Sequence, residues 1–161
     1  MKLLALAVLI PAVLFTSGCG KSDDHAGHDH SAGKDDHDQG HAHAAKMGGQ
    51  LVELGSHEFN LELLRDTEAG KLSLWVLDGH AENFVRVTNE TVTIEVAAGG
   101  KVEAVVLTAT ANAATGEKTG DTSQFEGRSD AFKTAKLLAV RVPSIQIATK
   151  QYSVRTFDLK K

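Results

Sequence analysis

Six of the chain's eight histidines lie between residues 25 and 43, at His25, His28, His30, His37, His41 and His43. Their spacing repeats. Asp23-Asp24-His25-Ala26-Gly27-His28-Asp29-His30 is echoed by Asp35-Asp36-His37-Asp38-Gln39-Gly40-His41-Ala42-His43, so each copy reads D-D-H, two or three spacers, then H-x-H. A neutral imidazole is a borderline ligand that suits Cu2+, Ni2+ and Zn2+, and carboxylates add harder oxygen donors. Three imidazoles on a short flexible stretch can gather round one ion, so each copy is expected to take one divalent transition metal ion. No framework holds the donors in place. Affinity should therefore be moderate, and selectivity should follow the intrinsic order of the metals, in which Cu2+ leads.

The segment that carries these histidines has no means of folding by itself. Residues 20–46 hold no apolar side chain larger than alanine and carry six His, six Asp and three Lys. Such a composition buries too little surface to offset chain entropy, so the segment is expected to be disordered. As a coil, its 27 residues would span roughly 30 Å end to end and lift a domain off a membrane. That spacer role holds with or without metal. Serine, glycine and glutamate would fill it equally well, and they do not account for six histidines.

The first twenty residues read as an address. Met1-Lys2 is a short positive start, and Leu3–Phe15 is an apolar run interrupted by Pro11. Its 13 residues suit a signal-peptide core and fall short of the roughly 20 needed to span a bilayer. Thr16-Ser17-Gly18-Cys19 comes next, and small residues before a lone cysteine resemble the lipobox of bacterial lipoproteins, with Thr16 where leucine is usual. The resemblance implies a signal peptide over residues 1–18, cleavage before Cys19, and acylation of that cysteine, which holds the chain on a membrane through its acyl chains. An ordinary secreted protein cut near the same point is the other reading. Residue 20 is Gly, not the aspartate that retains many such lipoproteins at the inner membrane, so the resemblance implies the outer membrane, periplasmic face. Copper(I) is disfavoured, because the mature chain offers only Met47 and no free thiol once Cys19 is acylated.

From residue 47 to 161 the pattern changes to alternation with a period of two, which predicts strands. Strands are expected at Gln50–Leu54, His57–Arg65, Lys71–Asp78, Phe84–Val87, Thr91–Ala97, Lys101–Thr110, Thr122–Glu126, Leu138–Ala148 and Gln151–Leu159. Turn signals separate them at Gly55-Ser56, Glu68-Ala69-Gly70, Asp78-Gly79 and Gly99-Gly100. The inward set changes phase across Pro143, from Val140 and Val142 to Ile145 and Ile147, which predicts a bulge or an edge strand. Ser129–Lys136 is expected to hold one helical turn capped by Ser129. Short strands at this spacing indicate an all-β domain, an immunoglobulin-like β-sandwich, with a small β-barrel as the runner-up. Trp75 and the phenylalanines are expected in its core.

A second candidate metal site depends on one assumed register. If His57–Arg65 and Lys71–Asp78 form a hairpin through a five-residue loop at 66–70, Arg65 faces Lys71 and Glu58 faces Asp78. His57, Glu58, Asp78 and His80 would then gather at one end. Solvated turns attract the same residue types without binding anything, and a slip of one residue dissolves the arrangement.

Several classes of function are excluded or disfavoured. A net charge of −4 with no basic stripe speaks against nucleic acid. A single cysteine excludes an intrachain disulfide, a cysteine zinc finger and an iron–sulfur cluster. No G-x-S-x-G, P-loop or H-E-x-x-H motif occurs, and nothing pairs a nucleophile with a base, so no enzyme is expected.

Met47-Gly48-Gly49-Gln50-Leu51-Val52-Glu53-Leu54-Gly55, then Phe59-Asn60-Leu61-Glu62-Leu63, then Leu72–Gly79 ending V-L-D-G, resembles a bacterial envelope domain. That domain often opens with H-G-G and a V-E-L-G strand. Ser123-Gln124-Phe125 with Asp130-Ala131-Phe132 is similar to its second half. Domains of this kind occur in His-rich lipoproteins and near periplasmic adaptors of metal-efflux pumps, so the resemblance implies an efflux or uptake component as partner. Met47 and Asn60 stand where relatives often have histidine, which implies that this folded part has lost ligands. The expectation is an anchored envelope lipoprotein with a metal-binding tether. The alternative is a structural or interaction module on a hydrophilic spacer.

Overall fold

The computed structural model describes residues 43–159. Alternation becomes eight strands: β1 (Gln50–Leu54), β2 (Phe59–Asp66), β3 (Lys71–Asp78), β4 (Thr91–Ala98), β5 (Lys101–Ala109), β6 (Gln124–Arg128), β7 (Leu138–Ile147) and β8 (Lys150–Leu159), with one short helix, α1 (Asp130–Thr134), before β7. They form a single antiparallel sheet in the order β1-β2-β3-β6-β5-β4-β7-β8. Its two edges come back towards each other. The Gln50 side-chain amide donates to the Asp158 carbonyl at 3.1 Å, and the Tyr152 hydroxyl donates to the Glu58 carboxylate at 2.6 Å. The described fold is all-β, a sheet nearly closed into a barrel.

The enclosed core takes alternate residues from every strand, among them Leu61, Leu74, Ile94, Leu107, Phe125, Val140 and Ile145. β3 is buried on both faces. Leu72, Leu74 and Val76 point into the core, while Trp75 and Leu77 pack outside with Ala81, Leu51 and Leu64. Phe125 and Phe132 are fully buried, but Phe84 is 42% exposed, so not every phenylalanine is a core residue.

Two local expectations hold in detail. Ser129 caps α1, its hydroxyl accepting from the Ala131 amide at 3.0 Å. The β7–β8 register shifts between Val140 and Val142 and again between Val142 and Ile145, and the inward residues Val140, Val142, Ile145 and Ile147 all stay buried across it. Pro143, lacking an N–H, sits in that irregular stretch.

Two expectations are corrected. Phe84–Val87 makes only isolated bridges, Leu77 to Phe84 and Val87 to Thr122. Its backbone groups are divided between two partners, Val85 donating to Val76 and Val87 to Thr122, so the segment crosses between neighbours instead of running along one. The β2–β3 hairpin is also displaced by one residue. Asp66 faces Lys71 and Phe59 faces Asp78. The cause is the Asp66 carboxylate, which accepts from the amides of Glu68 and Ala69 at 3.0 and 2.8 Å and closes the turn over 67–70. Asp66 thereby joins the strand, and Arg65 moves opposite Leu72.

Arg65 is 8% exposed and serves the helix. Its Nε donates to the Phe132 carbonyl at 2.8 Å and its Nη2 to the Ala135 carbonyl at 2.7 Å. A guanidinium thus satisfies carbonyls that a helix end leaves without intrahelical partners.

Candidate functional site

His43 is the first residue the structure describes. His25, His28, His30, His37 and His41, together with Cys19 and the signal peptide, lie outside the described residues. The structure does describe the root of the histidine-rich segment, and there it is firmly held. Glu62 is completely buried on β2. Its Oε1 accepts from the amides of Met47 at 2.7 Å and Gly49 at 2.8 Å, and its Oε2 from the amide of Lys46 at 2.9 Å. One carboxylate therefore fixes a stretch of backbone that lies before the first strand. Gly49 makes the close approach feasible, because a Cβ there would stand 2.5 Å from the Leu63 carbonyl oxygen. The Lys46 ammonium reaches on to the Glu82 carbonyl and lies 5.6 Å from the centre of the Phe84 ring. That tie links the root to the loop after β3.

Against this loop stands His43. Its ring centre is 5.8 Å from that of His80, with the planes inclined at 72°. His43 is half-buried and His80 exposed. Beside them His43, Ala45, Gly48 and Leu51 line an open recess of about 420 Å3.

The four residues expected to make a second metal site go to separate partners. His57 pairs with Glu53, Nδ1 to carboxylate at 3.2 Å, and its amide donates to the same carboxylate at 2.9 Å. Glu58 accepts from Tyr152 at 2.6 Å and from Lys150 at 2.9 Å. These two bonds, the Tyr152 one first, hold its carboxyl below the usual range. Asp78 accepts from the Asn83 side chain at 2.7 Å and from the Glu82 amide at 2.8 Å. The Asn83 bond chiefly depresses its carboxyl, and the charge of His80 adds to the effect. His80 turns to His43 instead. In the observed register Phe59, not Glu58, lies opposite Asp78. Among the described residues, no three His, Cys, Asp or Glu side chains stand together in a way that could hold a metal ion.

Met47 and Asn60, the positions at which the resembled domain often has histidine, have backbone roles here. Met47 is 45% exposed and serves through its amide. Asn60 is buried and its side-chain amide donates to the carbonyls of Asp78 and Gly79, each at 3.0 Å. The turn at that end is tight: a Cβ on Gly79 would stand 2.0 Å from the His57 carbonyl oxygen.

The remaining perturbed carboxylates are structural. Burial pushes Glu117 up, but hydrogen bonds from Ser123 at 2.6 Å and Thr115 at 2.7 Å outweigh it and hold the carboxyl low. Burial likewise opposes Glu126, which Lys71 at 2.8 Å and Ser73 at 3.1 Å hold low. A carboxyl depressed in the folded state stabilises the fold above its unfolded value and loses that contribution as pH falls through its folded value. Thermal stability is therefore expected to be level above about pH 5 and to fall below about pH 4, where carboxylates of ordinary affinity take up protons. Melting curves across pH check this. Glu117→Gln with Glu126→Gln should flatten the acid limb; an acid limb identical to the wild type contradicts the assignment.

Sequence reasoning missed Glu62, Arg65 and the His43–His80 contact. The Gly48-Gly49 pair beside a strand was the available signal for Glu62, since it marks backbone that must approach something closely. Among the described residues, no helix is long and apolar enough to cross a membrane. Comparison of the chain with protein-family models, with curated proteins and with solved structures gives no match.

Proposed function

We propose that this is a lipid-anchored component of a bacterial cell envelope that binds a divalent transition metal ion, Cu2+, Ni2+ or Zn2+, through His25, His28, His30, His37, His41 and His43. Its task on this reading is to buffer the metal or to hand it to a transport system, with an efflux or uptake component as partner. The observation that carries the reading is the duplicated D-D-H…H-x-H pattern, which places six of eight histidines within residues 25–43. Binding rather than catalysis is the proposed role, and Cys19 is the proposed point of acylation. The folded part is read as the mount. It is consistent with this that His57, Glu58 and Asp78 at the hairpin end are engaged with other partners. Of the two all-β readings, sandwich and small barrel, the single strand order with bridged edges favours the barrel.

A titration tests the reading. The 20–46 peptide should bind Cu2+, Ni2+ or Zn2+ far more tightly than free imidazole does. It should release the ion as pH falls below about 6.5, where imidazole takes up a proton and ceases to be a ligand. Replacing all six histidines by serine should abolish the binding and alter metal tolerance in cells. Binding no tighter than that of free imidazole, or tolerance unchanged by the six replacements, overturns the reading and favours a spacer carrying an interaction module.

A further inference from the structure

We propose that His43 and His80 form a two-imidazole half-site for a divalent transition metal ion, so that the folded part supplies a ligand of its own to the histidine-rich segment. The inference rests on the metal-binding reading above and adds to it a residue that lies outside the tail. An imidazole nitrogen binds such an ion at about 2.0–2.1 Å, which sets the ring centre about 3.2 Å from the ion and two rings at a tetrahedral angle about 5 Å apart. The observed 5.8 Å between ring centres is close to that separation. The planes are steeply inclined, at 72°, so the rings are not stacked face to face, and nitrogen edges can be turned towards a common point.

Several features of the site fix this geometry in advance. The Glu62 carboxylate pins the backbone at Lys46, Met47 and Gly49, starting three residues beyond His43. The Lys46 ammonium ties the same stretch to the Glu82 carbonyl, in the loop that carries His80. Within that loop, Asp78 accepts from the Glu82 amide and the Asn83 side chain, and Ala81 donates to the Asp78 carbonyl at 3.0 Å. Both imidazoles thus stand close to backbone that is already fixed, and less ordering entropy is lost on binding there than on a free coil. Two imidazoles leave the remaining positions of a four-coordinate ion open to water. The pair is expected to be the tightest point of attachment on the chain.

The test uses the whole mature chain, metal-free, with Zn2+ or Cu2+ alone as probe. His80 is exposed, so His80→Gln leaves the fold intact, and an unchanged melting temperature confirms it. The expected result is a loss of at least tenfold in affinity for the first equivalent of Zn2+, about what one ligand contributes on the scale of 1.4 kcal/mol per decade. Substoichiometric Cu2+ should broaden the amide resonances of Gly79, His80 and Ala81 together with those of the tail. Wild-type affinity in His80→Gln, or broadening confined to the tail, overturns the half-site and leaves the tail reading standing. No uptake of metal by the wild-type chain overturns both.

Discussion

Glu62→Ala is expected to release the root of the histidine-rich segment and to lower stability by about 1–3 kcal/mol. The carboxylate receives three backbone hydrogen bonds from Lys46, Met47 and Gly49 at 2.7–2.9 Å. Bonds to a charged acceptor are worth about 1.5–3 kcal/mol each, but the freed amides lie near solvent and recover part of this from water. The local effect is larger than the global one. Amide hydrogen exchange should show Lys46, Met47 and Gly49 protected in the wild type and close to unprotected in the variant, while β4, β5 and β7 keep their protection. Glu62→Gln should fall between the two, because a carboxamide offers one acceptor oxygen and turns an NH2 towards donors. The same variant should weaken the His43–His80 pair by unfixing His43. Wild-type protection at the three amides in Glu62→Ala contradicts the clamp.

Phe125→Ala is expected to cost about 3–5 kcal/mol, the usual range for truncating a large buried aromatic. Phe125 is completely buried, and its position in the topology makes it hard to compensate. β6 alone joins the β1-β2-β3 group to the β5-β4-β7-β8 group in the strand order. Towards β3 it is paired over Lys71–Trp75, but towards β5 only Thr108 with Glu126 and Ala109 with Phe125 are paired. A cavity at Phe125 therefore weakens the seam as well as the core. Domains of this size are stable by about 5–15 kcal/mol, so the variant should sit near the edge of folding at physiological temperature. Urea unfolding measures the loss. A change below about 1 kcal/mol contradicts the placement of Phe125 at the seam.

The all-β class and most strands were legible because one face of each strand must be buried, and burial at every second residue leaves an apolar period of two. Pro143 and Ser129 were legible for local reasons, one lacking a donor and the other offering a capping hydroxyl. The hairpin register was not. It turned on whether Asp66 ended the strand or opened the turn, and its side-chain bonds to the Glu68 and Ala69 amides decide that only in the folded state. Glu62 was hidden for a related reason. Alternation puts it with Asn60 and Leu64 on the outer face of β2, where a carboxylate reads as solvated. Residues 46–49 lie over it, their amides hydrogen-bonded to its carboxylate. The contact between His43 and His80 joins two stretches far apart in the chain, and no local pattern encodes it. The histidine repeat is a reading of residue type and spacing alone, and of its six histidines only His43 lies among the described residues.

On the proposed reading, imidazole nitrogens take up a metal ion at neutral pH. The direct measurement is calorimetric titration of the purified, metal-free mature protein with Cu2+, Ni2+ and Zn2+ at about pH 7.5, repeated at about pH 5, on either side of the ordinary imidazole pKa. The account predicts saturable uptake at the higher pH, tightest for Cu2+, and its loss at the lower as imidazoles are protonated. No heat of binding for any of the three ions at the higher pH contradicts it.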